Sequence, residues 1–364
     1  MNQKGFAPII IILGIVFTVI GIGGYFLLSN KNFVKYSPTN EISPTPTVAI
    51  QSSSDVICPA NAVVTFGYDT TYLTPAPQDP NQVCKFSITV DNVSDLVQEI
   101  NQASKYPNLK IFNIQGPSGG EKTVFMPPEI WQLKNLQSLN IAYVEFKNST
   151  LPAEISNVSN LKRLSVYGSN ISSIPPQISQ LTQLTYLDFG ANNITVLPPE
   201  IGSLKNLATL NLFHNELNSL PDSIGNLQNL KKLVLSNNSF SIFPEVLTKL
   251  NGLEELNMNQ NHLASVSLQI GNMNHLKKLS LNNWPNHASA ACGGAVCQTD
   301  LKQDMENGNK ILTFPDSIAQ MSSLLELDLS NVSTPVEVIN HLKQILPKTT
   351  IKFDPPGSYS NYPK

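Results

Sequence analysis

Four cysteines are the residues of this 364-residue chain best suited to form covalent or metal-bound structure: Cys58, Cys84, Cys292 and Cys297. An even number of cysteines fits a disulfide framework in an oxidising compartment, and 58–84 and 292–297 are the simplest pairs. Zinc is the alternative for the second pair because His287 lies nearby, but the spacing is at the edge of the usual range and a fourth ligand is not evident. We therefore expect disulfides and no metal site.

Catalytic chemistry is not indicated by the sequence. It contains no G-x-S-x-G, P-loop, H-E-x-x-H or Rossmann glycine pattern. His214 and His262 flank two regularly placed asparagines at different offsets, and neither has an evident Cys or Ser partner. A net charge of −3 argues against nucleic acid as the main partner, which would require a basic face. We predict a protein that is not an enzyme and uses no cofactor.

The chain repeats itself from residue 130 onward. Segments similar to IGSLKNLATLNL begin at residues 130, 155, 178, 201, 224, 247, 270 and 318, so most steps are 23 residues and the last is 48. Self-similarity at such a period predicts a solenoid. In each unit an L-x-L alternation, such as Leu210 and Leu212, marks a short strand with leucine facing inward.

A regularly placed asparagine follows each central strand. These asparagines are Asn192, Asn215, Asn238 and Asn261. Their amides can bond the backbone of adjacent coils where the chain turns, so we predict a structural ladder and no catalytic role. Proline follows the asparagine in most units and blocks continuation of the strand, which allows a helical turn on the other face.

The pattern L-x-x-L-x-L-x-x-N-x-L, continued as x-x-L-P-x-x-I, resembles that of leucine-rich repeat proteins with 23-residue units, over residues 93–353. The resemblance implies an α/β fold: a right-handed solenoid in a horseshoe arc, with short parallel strands on the concave face and helical or irregular segments on the convex face.

Both ends of a solenoid need caps, since a terminal coil has one uncovered face. We expect a helix from Asp91 to Leu109, with Asp91 or Ser94 as N-cap, followed by an irregular first coil. At the other end we expect a helix over residues 335–346, a last strand ending at Phe353, and a disordered tail over residues 354–364. This ending is similar to the C-terminal cap of many bacterial leucine-rich repeat proteins.

An insertion interrupts the repeat at about residues 284–309, because the last step of 48 residues equals 23 plus 25. Trp284 takes the asparagine position there, and Cys292 and Cys297 lie within the extra residues. Insertions in solenoids project as loops, often near a binding face. The insertion is either a ligand-contacting lobe or a tolerated surface loop.

A candidate ligand-binding surface lies on the outward strand positions, which form columns across the sheet. Aromatic and basic side chains fall close together near its middle: Tyr167, Tyr186, Phe213, His214, Arg163 and Lys232. Such residues are typical of binding hot spots. The alternative is that the aromatic residues pair across strands only to cover the sheet.

The N-terminal part of the chain has the organisation of a membrane anchor and spacer. Residues 7–28 are uncharged and long enough to span a bilayer, which favours a signal-anchor helix with residues 1–6 as a cytoplasmic tail, over a cleaved signal. Residues 29–56 form a Pro/Ser/Thr-rich stalk, and residues 57–92 form a separate cysteine-containing region. Gly5 and Phe6 resemble the processing site of type IV prepilins, although Ile10 stands where those carry Glu.

These features predict a single-pass plasma membrane protein whose C-terminal domain is extracytoplasmic. Its leucine-rich repeats would bind a protein partner, or a cell-wall glycan, through the concave face. The alternative function is a structural subunit of a pilus-like or envelope assembly that is joined through the N-terminal helix. A signalling receptor is a third function, and would need a partner to supply a cytoplasmic domain.

Overall fold

The computed structural model describes residue 58, the backbone of residues 63–65, and residues 79–117, 123–283 and 308–354. The predicted anchor (7–28), the stalk (29–56), Trp284, Cys292, Cys297 and the tail beyond residue 354 lie outside these residues. Within the described residues, no helix has both the length and the apolar character needed to cross a membrane.

One parallel sheet of twelve strands, in the order in which they occur along the chain, organises the described residues. The strands are β1 (Val63–Thr65), β2 (Lys85–Thr89), β3 (Ile111–Gln115), β4 (Ser138–Ala142), β5 (Arg163–Tyr167), β6 (Tyr186–Asp188), β7 (Thr209–Asn211), β8 (Lys232–Val234), β9 (Glu255–Asn257), β10 (Lys278–Ser280), β11 (Glu326–Leu329) and β12 (Thr350–Phe353). Each strand pairs only with its sequence neighbours, so each coil of chain adds one strand to the sheet.

Short 3-10 helices return the chain between strands. They span Pro80–Gln82, Pro128–Gln132, Lys147–Ser149, Ala153–Val158, Pro176–Gln180, Pro199–Ser203, Asp222–Asn226, Glu245–Lys249, Ile270–Asn272 and Asp316–Gln320. Prolines such as Pro198 and Pro221 occupy the extended position just before these helices, with φ −67° in both cases. Inward-facing side chains of the strands, such as Leu187 and Leu210, and of the 3-10 helices, such as Ile201 and Ile224, are fully buried and form one continuous core.

The sheet extends N-terminally beyond residue 93, where we expected the repeats to begin. Strand β2 pairs with β3 over five residues, and β1 pairs with β2, so residues 63–65 and 85–89 belong to the same sheet. The alternating burial of Lys85–Thr89, with Phe86 and Ile88 inside, lets a segment without the repeat pattern add a coil.

The N-terminal helix α1 (Val93–Ala103) is shorter than expected, and its N-cap is Asn92, not Asp91 or Ser94. The side chain of Asn92 accepts a hydrogen bond from the backbone N–H of Asp95 at 2.9 Å, which satisfies one free donor of the first turn. The coil after α1 is also more regular than expected, because residues 111–115 form strand β3. Helix α1 therefore lies inside the repeating connectivity, between β2 and β3.

The C-terminal end has the expected helix followed by a strand. Helix α2 (Val336–Ile345) buries Ile339 and Leu342, and β12 pairs with β11 over four residues. The aromatic ring of Phe353 lies under the Lys343 ammonium group at 4.5 Å, which ties the last strand to this helix.

Candidate functional site

The pairing register brings the predicted aromatic and basic residues onto one face of the sheet, here called the outer face. Arg163 of β5 lies opposite Tyr186 of β6, and Ser165 lies opposite Asp188. The leucines between them, Leu164 and Leu187, are buried on the inner side. Alternation along each strand therefore separates core residues from a partly exposed surface.

Arg163, Tyr186 and Asp188 form a stack on this face. The guanidinium carbon of Arg163 lies 3.9 Å from the centroid of the Tyr186 ring, in cation–π geometry. The Tyr186 hydroxyl donates to Asp188 Oδ2 at 3.0 Å. Asp188 also accepts from the Gly190 backbone N–H at 2.8 Å and from the Asn211 amide at 3.0 Å. The stack is therefore held in place before any ligand arrives.

Burial sets the electrostatics of this stack. Asp188 is fully buried, and burial raises the pKa of its carboxyl above the ordinary value; hydrogen bonds from Gly190, Asn211 and Tyr186 and the charge of Arg163 oppose this only in part. Burial also raises the pKa of the Tyr186 hydroxyl, and the neighbouring carboxylate raises it further. The tyrosine therefore stays protonated and continues to donate to Asp188.

Two tyrosines extend the aromatic surface toward the N-terminal side. The rings of Tyr143 and Tyr167 meet edge to face, with centroids 5.9 Å apart. Each ring leans over a glycine of the next coil. A Cβ on Gly168 would lie 2.8 Å from the Tyr143 ring, and a Cβ on Gly190 would lie 3.2 Å from the Tyr167 ring. The glycines give the rings space to lie across the strands.

Phe213 and His214 follow strand β7 at the edge of this surface. Their ring centroids are 5.7 Å apart, and the backbone N–H of Phe213 donates to Asn211 Oδ1 at 3.1 Å. His214 is exposed, has a positive φ of 52°, and contacts the side-chain amide of Asn237 through its ring nitrogen Nδ1. We call the outer face of β4 to β7, together with Tyr143, Phe213 and His214, the aromatic half.

Lys232 does not join the aromatic cluster. Its ammonium group lies 2.8 Å from the Glu255 carboxylate on the next strand. Farther along the sheet, Glu326 binds both Lys278 at 2.9 Å and Lys352 at 3.0 Å. Burial would raise the pKa of Glu326, but these two lysines together lower it below the ordinary value. We call the outer face of β8 to β12 the ion-paired half.

The four ladder asparagines are buried and bond the backbone on both sides. Each side-chain oxygen accepts a hydrogen bond from a backbone N–H of the preceding coil, at 3.0–3.1 Å. The donor is the residue two positions after the ladder position of that coil. Their amide groups donate to carbonyls of their own coil and of the preceding coil. The four residues are Asn192, Asn215, Asn238 and Asn261.

Asn309 continues this ladder, and the expectation that Trp284 takes the position is wrong. The Asn309 oxygen accepts from Leu263 N–H at 3.0 Å, and its amide donates to the carbonyls of Met258 and Leu281 at 3.0 and 2.8 Å. The repeat is therefore interrupted after Asn283 and resumes at Asn309. Counting along the chain missed this, because the insertion begins in the middle of a coil.

A second set of asparagines, which was not predicted from the sequence, lies where the chain turns into five of the strands, β3, β4, β5, β7 and β8. Each side-chain amide donates to a backbone carbonyl of the preceding coil, at 2.8–3.1 Å. The residues are Asn108, Asn135, Asn160, Asn206 and Asn229. Their signal in the sequence is the recurring asparagine–leucine pair before the strand.

Cys58 and Cys84 form a disulfide, with Cα atoms 5.7 Å apart. Cys292 and Cys297 lie outside the described residues. Across residues 79–117, 123–283 and 308–354, no group of three or more His, Cys, Asp or Glu side chains is placed to hold a metal ion.

The comparisons with known proteins agree with this fold. Residues 178–305 match the family model described as a leucine-rich repeat region. Such regions are generally non-enzymatic, which agrees with the prediction that the chain is not an enzyme. A comparison with curated proteins gives no match.

Three solved structures illustrate the likeness. A chain of the Toll–Spatzle complex from Drosophila is 19% identical with a TM-score of 0.59, and the match covers 80% of this chain and 36% of that one. A TDR receptor is 22% identical with a TM-score of 0.50, over 75% of this chain and 47% of that one. A leucine-rich repeat protein of Leptospira interrogans is 25% identical with a TM-score of 0.43, over 75% and 90%. The chain thus spans less than half the length of the first two of these chains.

Proposed function

Taking this chain as a leucine-rich repeat protein, we propose that it is a membrane-anchored, surface-displayed binding module that recognises a protein partner through the aromatic half. The observation that carries the proposal is the division of the outer face. Its first half presents partly exposed aromatic rings around the stack formed by Arg163, Tyr186 and Asp188, whereas the charges of its second half pair with one another.

The chemistry of the aromatic half is that of a binding hot spot. Tyrosine and arginine are enriched where interfaces gain most of their energy, and they act best when they are already held in place. Tyr167 rests on Gly190, and Tyr186 is fixed by Arg163 and Asp188, so ordering these side chains costs little on binding. A chain of the Toll–Spatzle complex shares this fold, so the fold occurs in a protein that assembles with another protein.

The ion-paired half is a poor candidate for the main contact. A partner would have to replace ion pairs such as Lys232–Glu255 and Lys278–Glu326, which already satisfy each other. Exposed pairs of this kind contribute roughly 0–1 kcal/mol, so exchanging them for pairs with a partner would add little binding energy. Binding through the aromatic half alone should depend little on ionic strength.

The placement at the cell surface rests on the sequence outside the repeats. Residues 7–28 would anchor the chain in the plasma membrane, and residues 29–56 would hold the repeat domain away from it, on the extracytoplasmic side. The disulfide between Cys58 and Cys84 supports an oxidising compartment. Protease treatment of intact cells tests this: the repeat domain should be removed while a cytoplasmic marker survives. Protection of the domain until cells are lysed would contradict the placement.

The binding proposal is tested by affinity capture with the purified full chain as bait. A double variant, Tyr167→Ala with Phe213→Ala, removes two rings of the aromatic half. A second double variant, Lys278→Ala with Glu326→Ala, removes the two ion pairs of Glu326 from the other half of the same sheet and serves as the matched control.

We expect a protein partner that the wild type and the control retain and the aromatic variant loses. All three baits should have the same far-ultraviolet circular dichroism spectrum. Equal retention by all three baits would move the site away from the aromatic half. If the same surface retained a cell-wall glycan and no protein, the partner would be a glycan and not a protein. Capture of neither would contradict the proposal.

A further inference from the structure

The turn between the 3-10 helix Glu245–Lys249 and strand β9 places an exposed asparagine directly before a glycine. The turn contains Asn251 and Gly252. The Asn251 side chain is exposed, and within the described part of the chain it makes no hydrogen bond; the same holds for the Gly252 backbone N–H. We propose that Asn251 is deamidated through attack by this N–H.

The reaction needs only water and groups present in the turn. The Gly252 backbone nitrogen loses its proton and forms a bond to Cγ of Asn251, while the bond from Cγ to the side-chain nitrogen breaks and ammonia leaves. The cyclic imide then takes up one water at either carbonyl. It opens to aspartate or to isoaspartate, in which the main chain runs through the former side chain.

Gly252 makes this turn suited to the reaction. Glycine has no side chain to shield its nitrogen, and its backbone is freer to reach the geometry for attack than that of any other residue. In the structure glycine is also required, because a Cβ at this position would lie 2.5 Å from the carbonyl oxygen of Gln228 in the preceding coil. The close packing of the coils therefore requires glycine at the position after Asn251.

The repeat supplies an internal control one coil later. Asn274 and His275 occupy the same turn 23 residues on, and Asn274 is exposed as well. Here the attacking nitrogen would belong to a histidine, whose side chain restricts its approach. The two turns differ mainly in the residue after asparagine, so a difference in rate between them measures the effect of that residue.

The isoaspartate product should disturb the coil. It adds a methylene to the main chain beside Gly252, where even a Cβ would lie 2.5 Å from the Gln228 carbonyl oxygen. The aspartate product keeps the main chain and adds only a negative charge. We therefore expect the isoaspartate form to unfold at a lower temperature than the aspartate form, which the variant Asn251→Asp reproduces.

The test is to age the purified full chain at physiological temperature and mildly alkaline pH, and to follow each peptide by mass spectrometry. Conversion at Asn251 should exceed conversion at Asn274 by at least about tenfold, because Asn251 is followed by glycine and Asn274 by histidine. The variant His275→Gly should make Asn274 react at a rate similar to Asn251, and Asn251→Gln should abolish the reaction at that turn. After proteolysis, enzymatic methylation specific for isoaspartate should label the peptide that contains residue 251 in the aged wild type and not in Asn251→Gln. Equal, slow conversion at both turns, or failure of His275→Gly to raise the rate, would overturn the proposal.

Discussion

The backbone N–H of Asn309 donates to the side-chain oxygen of Asn283 at 2.7 Å, and the Asn283 amide donates back to the Asn309 carbonyl at 2.8 Å. These two residues occupy consecutive positions of one coil although 25 residues separate them in the chain. Both are 1% exposed. The insertion therefore leaves and re-enters the solenoid at a single closed point, and the coil beneath it is complete.

Deletion of residues 284–308, which joins Asn283 to Asn309, should preserve the fold. It restores the 23-residue step and removes the entropy cost of closing a long loop, so the free energy of unfolding should stay the same or rise slightly. Urea denaturation of wild type and variant measures this.

Deletion of one more residue, 284–309, is the matched control. It removes Asn309 and leaves the Leu263 N–H and two carbonyls without their partners. Buried unpaired groups cost about 1–3 kcal/mol each, so this variant should lose at least about 3 kcal/mol. Equal stability of the two deletions would show that Asn309 is not part of the ladder.

Much of the fold could be predicted from the sequence, because the 23-residue period fixes which residues share a column. The pairing of Arg163 with Tyr186 follows from counting alone. The helix before the last strand lies beyond the last repeat, and its own residues and the resemblance to known C-terminal caps predicted it. Counting failed where the period is absent. Strand β2 has only alternating burial, and the insertion shifts the ladder position from Trp284 to Asn309.

The candidate site was less predictable than the fold. The sequence places Lys232 in the same column as Arg163. The group that each side chain contacts depends on its rotamer, which the period does not determine. Lys232 turns to Glu255, and Arg163 turns to the Tyr186 ring. The burial of Asp188 beneath that ring has no signal in the sequence either, because its position is an outward one.

The ladder asparagines and the second set of asparagines should differ in their effect on stability. Asn215 is buried and bonds Ile194, Phe189 and Leu212, so Asn215→Ala should lower the free energy of unfolding by about 2–4 kcal/mol. Asn229 is exposed and makes one bond, to the Lys205 carbonyl, so Asn229→Ala should cost about 0.5–1 kcal/mol. Chemical denaturation of both variants provides the comparison. A larger loss for Asn229→Ala would show that the second set of asparagines, and not the ladder asparagines, holds the coils together.

Lys232 and Tyr186 should contribute unequally to partner retention. Lys232→Ala removes an exposed ion pair with Glu255 and should change the dissociation constant by no more than about threefold. Tyr186→Phe removes the hydroxyl donor of the buried Asp188 and should loosen the stack, with a loss of about 1–3 kcal/mol in binding or folding. Titration of the captured partner at low and high salt measures both effects. A strong salt dependence that Lys232→Ala abolishes would contradict the division of the outer face.

Asp188 should make stability depend on pH in the acidic range. Its pKa is raised in the folded chain, so the native state binds more protons than the unfolded chain between the ordinary aspartate pKa and the raised one. The free energy of unfolding should therefore fall as pH increases through this window and level off above it. Asp188→Asn cannot ionise and can still accept from the Gly190 N–H, so this part of the decline should disappear.

Asp222→Asn, which removes a carboxyl group at an exposed position, is the control and should leave the decline in place. The difference between wild type and Asp188→Asn isolates Asp188 from other groups such as Glu99, whose pKa burial also raises. The measurement is a set of urea unfolding curves across the acidic range. Parallel curves of unfolding free energy against pH for wild type and Asp188→Asn would mean that folding leaves the pKa of Asp188 unchanged, and that the hydrogen bonds from Tyr186, Gly190 and Asn211 and the charge of Arg163 balance its burial.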